Sequence, residues 1–538
     1  MLALKVNDTF LDIDGASINL EINSPLFSFE ITPGDFSYPF NIPPTSKNLI
    51  ALKHIDVLEI ENEIELGTFS AELFLLGNPY LQGELVVLSS NNKSIKVNFN
   101  GATSIFYKGI KNKLLTDFDP FNPKTSFSPY ASILASYQVC DFVCYEVVNR
   151  KFWNDLPAYI GVENFRALYP SGLTQNVGNE VSQEVNGGTY TFTVPMIYVF
   201  NYLEHVFNTF GYTLKGDLMS DPEIRTLTFL NNHSLNDEVY TSSGSHSFLA
   251  SGIPNLPEYV PSVLIPDVIA SICKTFCCYL SIDEANKVVG FKKLKNLINS
   301  TETISLDEKV GSLETFFDPK NGFHFKHSAY SEISQADFAQ NGTVSGMDQF
   351  THYSEDVPNL EFKQDNGEIL IDTGVSIPSS VVNIVTFNSI RYRKKSPCIS
   401  VKGFEKNAYD KNKFKDIVFL FYRGMKVGFQ TNNVGVTNFD YALASYDTTD
   451  YFGNSTGDYS LLWEGTNGLY EKWWKEWMSF LLKNKEVKTK LLWGVNDILN
   501  ADLTKKYYFN GSTFFIKKLS IKLTANTINS ISAEMLKV

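Results

Sequence analysis

Short runs of alternating polar and apolar residues dominate the first part of the chain. Ile18–Ile22 and Glu84–Leu88 are two such runs, and turn-forming pairs such as Asp14-Gly15 and Asn91-Asn92 lie between runs of this kind. Successive side chains of a strand point to opposite faces, so this alternation predicts strands with one buried face. We assign residues 1–119 to an N-terminal β domain, because short strands at this spacing predict a sandwich or a barrel.

A segment rich in proline and aromatic residues, 24–44, interrupts this pattern. Its five prolines cannot lie in central strands, because proline has no N–H group to donate to a sheet. Phe36, Tyr38 and Phe40 alternate along the segment, as is typical of an extended chain that lies on a partner or on a neighbouring domain. We therefore predict an extended arm, with these three aromatic residues as interface candidates.

The two middle regions differ in composition. Residues 120–190 begin with a segment rich in Pro, Ser and Asn that predicts a linker, and they continue with mixed strand signals. Residues 191–300 contain two similar stretches, Val194–Phe210 and Ile265–Leu280. Each has a proline near its start, apolar residues at helical spacing and an alternating run after it, which predicts two helix–strand modules. A duplication and two unrelated amphipathic helices explain these modules equally well.

The remaining regions are 301–412 and 413–538. Residues 301–412 are polar and β-like, with long loop-forming stretches. In the C-terminal region, Phe419–Gly424 predicts an apolar strand that ends in a turn, and Leu469–Leu482 predicts an amphipathic helix. The Asn510-Gly511 pair between two alternating runs predicts a hairpin that opens a terminal β-meander. We assign residues 413–538 to a C-terminal α+β domain.

Trp473, Trp474 and Trp477 lie on one stripe of the predicted helix Leu469–Leu482. Charged residues occupy most of the opposite face, so the same chain or a neighbour must cover the apolar stripe. Aromatic residues at helical spacing are more often part of a core or a subunit interface than a platform for sugars. The three tryptophans are therefore further interface candidates.

Length and composition set the fold class. A chain of 538 residues is too long for one hydrophobic core, because cores stop growing near ~250–300 residues. With the patterns above, this predicts a multidomain protein that is mainly β with α+β modules. Phe, Trp and Tyr make up 14% of the residues, and aromatic side chains favour strands and interfaces. We therefore expect an obligate homo-oligomer.

The formal net charge is −13, from 46 Lys and Arg against 59 Asp and Glu. A chain with this balance lacks the positive field that drives binding to nucleic-acid phosphates, which disfavours sequence-specific DNA binding. An acidic surface would instead suit a conduit, because like charge keeps a passing polyanion from adhering to the wall.

The expected cellular compartment determines the redox state of the cysteines. The first residues show no secretory signal pattern, and no apolar run is long enough for a spanning helix, so we expect folding in the cytoplasm and no stable membrane insertion. The six cysteines would then be reduced. Their spacing fits helical packing better than zinc binding, which predicts structural thiols.

No catalytic constellation emerges from the sequence. The seven histidines are scattered, and the closest pair, His324 and His327, should lie on opposite faces of a strand. Acids such as Glu61, Glu63 and Glu65, or the pair Asp117/Asp119, could serve a glycosidase, but acids two residues apart usually form a solvated strand edge. Phosphate-binding, zinc-protease and serine-hydrolase motifs are missing. We predict no catalytic residues, no metal and no cofactor.

Several motifs resemble those of one family. The pattern N-x-P-L-F, P-G, S-Y-P-F and I-P from Asn23 to Asn48 resembles the opening of tail proteins from Bacteroidota phages, including crAss-like and related tailed phages. Leu420–Gly424, Ser460–Gly465, Gly468–Lys475 and Tyr508–Leu519 are similar to the carboxy-terminal half of that family.

The resemblance implies a tail hub or baseplate-type structural protein whose β domains close into a ring. It implies that the chain binds further copies of itself, as a trimer or a multiple of three, and other tail proteins such as tube and fibres. Genomic DNA would be only passing cargo, and the protein would reside in the virion tail after assembly in the host cytoplasm. A peripheral receptor- or carbohydrate-binding tail protein and a cell-wall hydrolase stay open as alternatives.

Overall fold

We describe a computed structural model of the chain. The described residues are 2–29, 36–55, 67–101, 103–118, 136–149, 162–163, 167–168, 174–175, 194–231, 256–283, 286–316, 322–327, 349–353, 368–387, 390–399, 416–432 and 435–538.

The described helices are short. The α-helices are α1 (Ser46–Ala51), α2 (Thr103–Ile110), α3 (Val199–Thr209), α4 (Ile265–Thr275), α5 (Leu294–Asn299), α6 (Lys475–Lys483) and α7 (Val495–Leu499). Single 3-10 turns form at Pro25–Phe27, Ile224–Thr226 and Leu256–Tyr259, and a π-helical turn, Tyr470–Trp474, leads directly into α6.

Strands are far more numerous. They are β1 (Leu2–Val6), β2 (Thr9–Phe10), β3 (Ser17–Asn23), β4 (Phe36–Ser37), β5 (Phe40–Ile42), β6 (Thr68–Leu75), β7 (Asn78–Ser90), β8 (Ile95–Gly101), β9 (Phe142–Val143), β10 (Val147–Asn149), β11 (Val162–Glu163), β12 (Ala167–Leu168), β13 (Thr174–Gln175), β14 (Met196–Ile197), β15 (Thr213–Gly216), β16 (Leu227–Phe229), β17 (Cys278–Asp283), β18 (Val288–Lys293), β19 (Thr303–Ser305), β20 (Val310–Phe316), β21 (Gly322–Lys326), β22 (Gln349–Tyr353), β23 (Glu368–Asp372), β24 (Val375–Ser376), β25 (Ser379–Phe387), β26 (Ile390–Ile399), β27 (Ile417–Asn432), β28 (Gly435–Ser445), β29 (Glu486–Leu491), β30 (Lys506–Phe509), β31 (Ser512–Thr524) and β32 (Ile528–Lys537). The fold is therefore mainly β with α+β modules, as the sequence predicts.

The largest sheet joins the two ends of the sequence. Its main path runs β2-β1-β6-β7-β8-β4-β3-β31-β32-β29-β20, with β5, β30 and β19 attached beside it. β3 pairs antiparallel with β31 from Ser17 opposite Thr524 to Asn23 opposite Lys518. The inward side chains of this sheet, among them Leu20 and Leu519, form one buried apolar core. The predicted N-terminal and C-terminal regions thus share a sheet.

The predicted hairpin at the end of the chain is confirmed. β30 and β31 pair antiparallel with Phe509 opposite Ser512, and β32 pairs antiparallel with β31. Asn510 and Gly511 between them have φ angles of 48° and 71°. Glycine adopts this left-handed region freely and asparagine tolerates it, which is why this pair makes a two-residue turn.

A second sheet is built around β27. Its main path is β11-β10-β26-β27-β16, and β24, β25 and β28 are attached to it. The prediction that this strand ends in a turn at Gly424 is wrong, because β27 continues to Asn432. Gly424 lies instead in a bulge, where the register with β28 shifts between Tyr422 and Met425 and φ is 76°. A glycine in a strand marks a bulge as readily as a turn, and the local sequence does not distinguish the two.

The two predicted helix–strand modules share a small sheet. α3 and α4 each have 11 residues, and each is followed at the same position by a residue with a left-handed backbone, Gly211 (φ 79°) and Cys277 (φ 42°). The strands that follow, β15 and β17, flank β18 in a three-stranded sheet. These shared features favour a duplication over two unrelated helices.

Candidate interaction surface

The three tryptophans of the predicted helix lie inside the chain's own core. Trp473 and Trp474 belong to the π-helical turn and Trp477 to α6, and each is at most 1% exposed. The Trp473 ring packs edge-on against Phe276 at the end of α4, with 5.1 Å between centroids. The Nε1 group of Trp474 donates a hydrogen bond of 3.1 Å to the carbonyl oxygen of Lys274. The helix–strand modules therefore cover this stripe.

The beginning of the proline-rich arm covers the same helix from the other direction. Ser24 to Phe29, which we name the strap, leaves β3 and crosses to the tryptophans. The Phe27 ring lies 5.6 Å from that of Trp477, and the Phe29 ring lies 5.1 Å from that of Trp474. Leu26, which precedes Phe27, is fully buried in the same core. The strap thus lies on a neighbouring part of the same chain.

These positions decide which interface candidates can reach a partner. Phe40 lies on β5 and is buried in the core of the large sheet, as the three tryptophans are buried in the other core. Assignment to a subunit interface does not fit these four residues, because their own chain occupies their surroundings. The backbone of Phe36 pairs with Glu21, but its side chain lies outside the described part. Tyr38 is the candidate whose described side chain is exposed, at 48%.

Tyr38 is exposed yet held in place. Its hydroxyl donates a hydrogen bond of 2.8 Å to Oε1 of Glu21 on β3, and the same oxygen accepts a contact of 2.6 Å from Nζ of Lys518 on β31. The Glu21 carboxylate is mostly buried between these two partners. An aromatic side chain fixed in this way loses little conformational entropy when a partner packs on it, which suits a contact residue.

Beyond Glu21 the outer face of the large sheet has a row of alternating charge. We name this the charge row, and its members are Glu21 on β3, Lys518 on β31, Glu534 on β32, Lys488 on β29 and Glu314 on β20. Lys518 lies directly opposite Glu534, Glu534 opposite Lys488, and Lys488 opposite Glu314. The Lys488 Nζ and Glu534 Oε1 atoms are 3.0 Å apart. Opposite charges in directly facing positions stabilise neighbouring strands.

Hydrogen bonds to neighbouring carboxylates raise the pKa of both lysines in the charge row. The hydrogen bond to Glu21 raises the pKa of Lys518, and that to Glu534 raises the pKa of Lys488. The hydrogen bond to the Glu21 carboxylate also raises the pKa of the Tyr38 hydroxyl, and the adjacent negative charge disfavours a phenolate further. The lysines therefore keep their charge at neutral pH and alternate in sign with the carboxylates.

Polar clusters elsewhere serve the fold. Glu223 accepts the backbone N–H groups of Asp458 and Tyr459 and forms an ion pair with the guanidinium of Arg423, which also donates to the carbonyl oxygens of Asp447 and Tyr459. This network fixes the loop after β28. It contains no nucleophile placed beside a base, so we assign it no chemistry.

The histidine pair does not form a metal site. His327 is buried, with Nδ1 3.0 Å from the Thr373 hydroxyl and Nε2 2.8 Å from the carbonyl oxygen of Leu461. Burial lowers its pKa to about 4, so the imidazole is neutral at physiological pH. Within the described residues, no group of three or more His, Cys, Asp or Glu side chains could hold a metal ion.

The remaining chemical candidates are the acidic residues and the cysteines. Glu61, Glu63 and Glu65 lie outside the described residues, as does Asp119. The five cysteines whose side chains the structure describes are buried, and none forms a disulfide with another of the five. Burial raises the pKa of Cys277 and Cys278 well above the ordinary value, which keeps both thiols protonated. Across the described helices, none is long and apolar enough to cross a membrane.

Comparison with known proteins gives a limited picture. No protein-family profile matches the chain, and no curated protein matches it. Among solved structures, a 43 kDa tail protein of prophage MuSo2 from Shewanella oneidensis is similar over 100% of this chain and 98% of its own, with 10% identity and a TM-score of 0.35. A tail protein from Neisseria meningitidis MC58 is similar over 100% and 96%, with 5% identity and a TM-score of 0.34. TM-scores this low do not establish a shared fold.

Sequence reasoning missed the charge row. Its five members come from distant parts of the chain, so no local pattern joins them. The signal available was the charge at outward positions of strands, as in β29, where Lys488 lies between the buried residues Val487 and Thr489. Which of these charges face one another depends on strand order and register, and neither is encoded locally.

Proposed function

We propose that this chain is a non-enzymatic structural subunit of a bacteriophage tail. The motifs from Asn23 to Asn48 and from Tyr508 to Leu519 that resemble tail proteins lie at opposite ends of the sequence. They meet in space, because the backbone N–H of Ser24 donates to the carbonyl oxygen of Lys517 at 2.9 Å and Asn23 lies opposite Lys518. The contact between these two motifs is the observation that carries the proposal, since it makes them parts of one structural unit.

In finer detail, we propose a hub or baseplate component that forms a ring and connects the tail tube to the tip or to fibres. Further copies of the chain, as a trimer or a multiple of three, would complete the ring, and tube and fibre proteins would bind to it. The net charge of −13 supports a lining for a channel through which genomic DNA passes without adhering. The protein would reside in the virion tail and take part in genome ejection.

The burial of the tryptophans bears on the competing functions. A sugar platform needs aromatic faces open to the ligand, and the rings of Trp473, Trp474 and Trp477 are covered by the strap and by the helix–strand modules. This removes the feature that most favoured a carbohydrate-binding tail protein.

The position of the chain in a purified particle tests the proposal. Gold-labelled antibodies against the chain, imaged on intact virions by electron microscopy, should mark the tail axis at the junction of tube and tip. Labelling at fibre ends would support the receptor-binding alternative. A chain that is missing from the particle would overturn the tail proposal altogether.

A further inference from the structure

Among the strands that the structure describes, the large sheet ends at one whose outer edge is open. β20 pairs with β29 on one side and is the last strand of the sheet path on the other. Its seven residues, Val310 to Phe316, contain no proline and a single charged residue, Glu314. Proteins usually protect such edges with proline, lysine or a very short strand, because unpaired backbone groups accept a further strand. β20 has none of these three; a bulge interrupts its register between Val310 and Leu313, and Leu313 to Phe316 pair regularly with β29.

The inner face of this edge is also incompletely covered. Leu313 lies opposite Thr489 and therefore points to the same side of the sheet as Val487 and Leu491, both of which are buried in the core. Leu313 itself is 44% exposed. The core ends before the sheet does. A further strand at this edge would bury apolar surface that the chain leaves open.

On the outer face, the alternation of charge stops at Glu314, because no further described strand pairs with β20. Along the charge row the signs alternate from Glu21 to Glu314, with Lys488 as the last cation. Glu314 is exposed at the edge, and Lys488 forms its ion pair with Glu534 on the other side. The next position in the row, on a strand that would pair with β20, faces a carboxylate. A lysine or arginine there would continue the alternation.

We propose that the β20 edge receives an extended polypeptide segment of a partner protein by strand addition. The segment would place a lysine or arginine opposite Glu314 and an apolar residue opposite Leu313, so that backbone hydrogen bonds supply affinity and the two side chains supply register. The inference rests on the sheet edge and holds whether or not the protein is a tail subunit.

A second copy of β20 is a poorer occupant of the same edge. Antiparallel pairing of the strand with itself would bring two Glu314 carboxylates to the same outer face, with no cation between them. Like charges in neighbouring positions of a sheet are destabilising. The charge row therefore favours a different strand with a basic residue.

Two fluorescein-labelled peptides of nine residues test the proposal with the full-length protein. Both alternate valine and threonine, and they differ only in a central lysine or glutamate. Fluorescence anisotropy should show that the lysine peptide binds about fivefold more tightly, the ratio expected for one directly facing charge pair. The Glu314→Lys variant should invert this preference. Failure of both peptides to bind, or equal binding of the two, would overturn the proposal.

A matched control distinguishes the effect of the charge row on peptide binding from the effect of the total charge of the protein. Glu308→Lys changes the total charge by the same amount next to β20 but outside the strand, and it should keep the preference for the lysine peptide. An inverted preference in this variant would overturn the proposal. Should Glu314→Lys fail to fold, Glu314→Gln, which keeps the shape of the side chain, should bind both peptides equally.

Location and the alternative occupant are tested in the same preparation. A lysine peptide with a photoreactive benzophenone should crosslink to residues 310–316, and crosslinks elsewhere would contradict the assignment of the edge. Sedimentation of the protein without peptide should give the same oligomeric state for the wild type and for Glu314→Lys. An oligomer lost in the variant would show that a second copy occupies the edge, and this too would overturn the proposal.

Discussion

The indole N–H of Trp474 donates a hydrogen bond of 3.1 Å to the carbonyl oxygen of Lys274, near the C-terminal end of α4. This bond satisfies one of the carbonyl groups that a helix leaves open at its end. It also fixes the tryptophan turn against the second helix–strand module, so the two elements should lose stability together.

Removing the Trp474 side chain should therefore be severe. Trp474→Ala is expected to lower the free energy of unfolding by roughly 3–5 kcal/mol, because a large buried ring is lost and a cavity stays behind. Trp474→Phe keeps most of the apolar contact but loses the hydrogen bond to Lys274. The loss of this bond alone should lower the free energy of unfolding by about 1 kcal/mol. Urea unfolding followed by circular dichroism measures both.

Trp493 offers the control for that hydrogen bond. Its ring is buried in the core of the large sheet, and its Nε1 atom has no hydrogen-bond partner among the described residues. Trp493→Phe should therefore be less destabilising than Trp474→Phe by about 1 kcal/mol. Equal losses for the two variants would mean that the bond to Lys274 contributes nothing.

His327 should make stability depend on pH. Its folded pKa is about 4 against an ordinary value of 6.5, so the unfolded chain binds a proton more readily between these values. The neutral histidine thus contributes stability that is fully present above about pH 6.5 and is lost as pH falls toward 4. The loss should reach about 3 kcal/mol at pH 4.

The histidine effect is measured as a difference between variants. Unfolding midpoints of the wild type and of His327→Gln, compared at pH 7.5 and pH 4.5, should converge as the pH falls. The exposed His54→Gln variant should follow the wild type at both pH values. A wild type and a His327→Gln variant with parallel pH profiles would contradict a buried neutral imidazole.

Glu223 should matter far more than a carboxylate on the surface. Its removal leaves the Arg423 guanidinium, whose side chain is 2% exposed, without its charged partner. Glu223→Ala is therefore expected to destabilise by roughly 3–5 kcal/mol. Glu471→Ala removes an exposed pair with Lys475 and should lower stability by less than about 1 kcal/mol. Thermal unfolding of both variants measures the difference. Similar unfolding midpoints for the two would refute this ordering.

Substitutions of Gly211 test whether the left-handed backbone after α3 requires glycine. Its φ is 79°, and a Cβ atom added there would meet no other atom within 4 Å, so only backbone conformation opposes a side chain. Gly211→Ala should destabilise by about 1–2 kcal/mol. Gly211→Asn should lose less, because asparagine tolerates this conformation, as Asn510 does with φ 48°. Chemical denaturation of the two variants gives the comparison.

Local patterns predicted the elements whose determinants are local. The helical spacing of Trp473, Trp474 and Trp477 and the Asn510-Gly511 turn each depend on a few neighbouring residues, and both elements form as expected. The bulge at Gly424 was misjudged because a glycine serves turns and bulges alike. Whether an element forms is thus easier to foresee than where it ends.

The surface features could not be foreseen in the same way. Local sequence cannot tell that Tyr38 would stay exposed while Phe40, two residues later, would be buried in the core. Both belong to one alternating pattern, and only the pairing of β3, β5 and β8 decides which face is covered. The meeting of Glu21 with Lys518 depends on contacts across almost the whole chain, which no short pattern records.

The pairing of β3 with β31 has a consequence for synthesis on the ribosome. Strand β3 emerges long before β31, the strand that completes its hydrogen bonding. Domains fold as their residues become available, and pairings between distant residues form slowly. Strand β3 must therefore wait with one edge open until β31 has been made, and during that interval the nascent chain is exposed to aggregation.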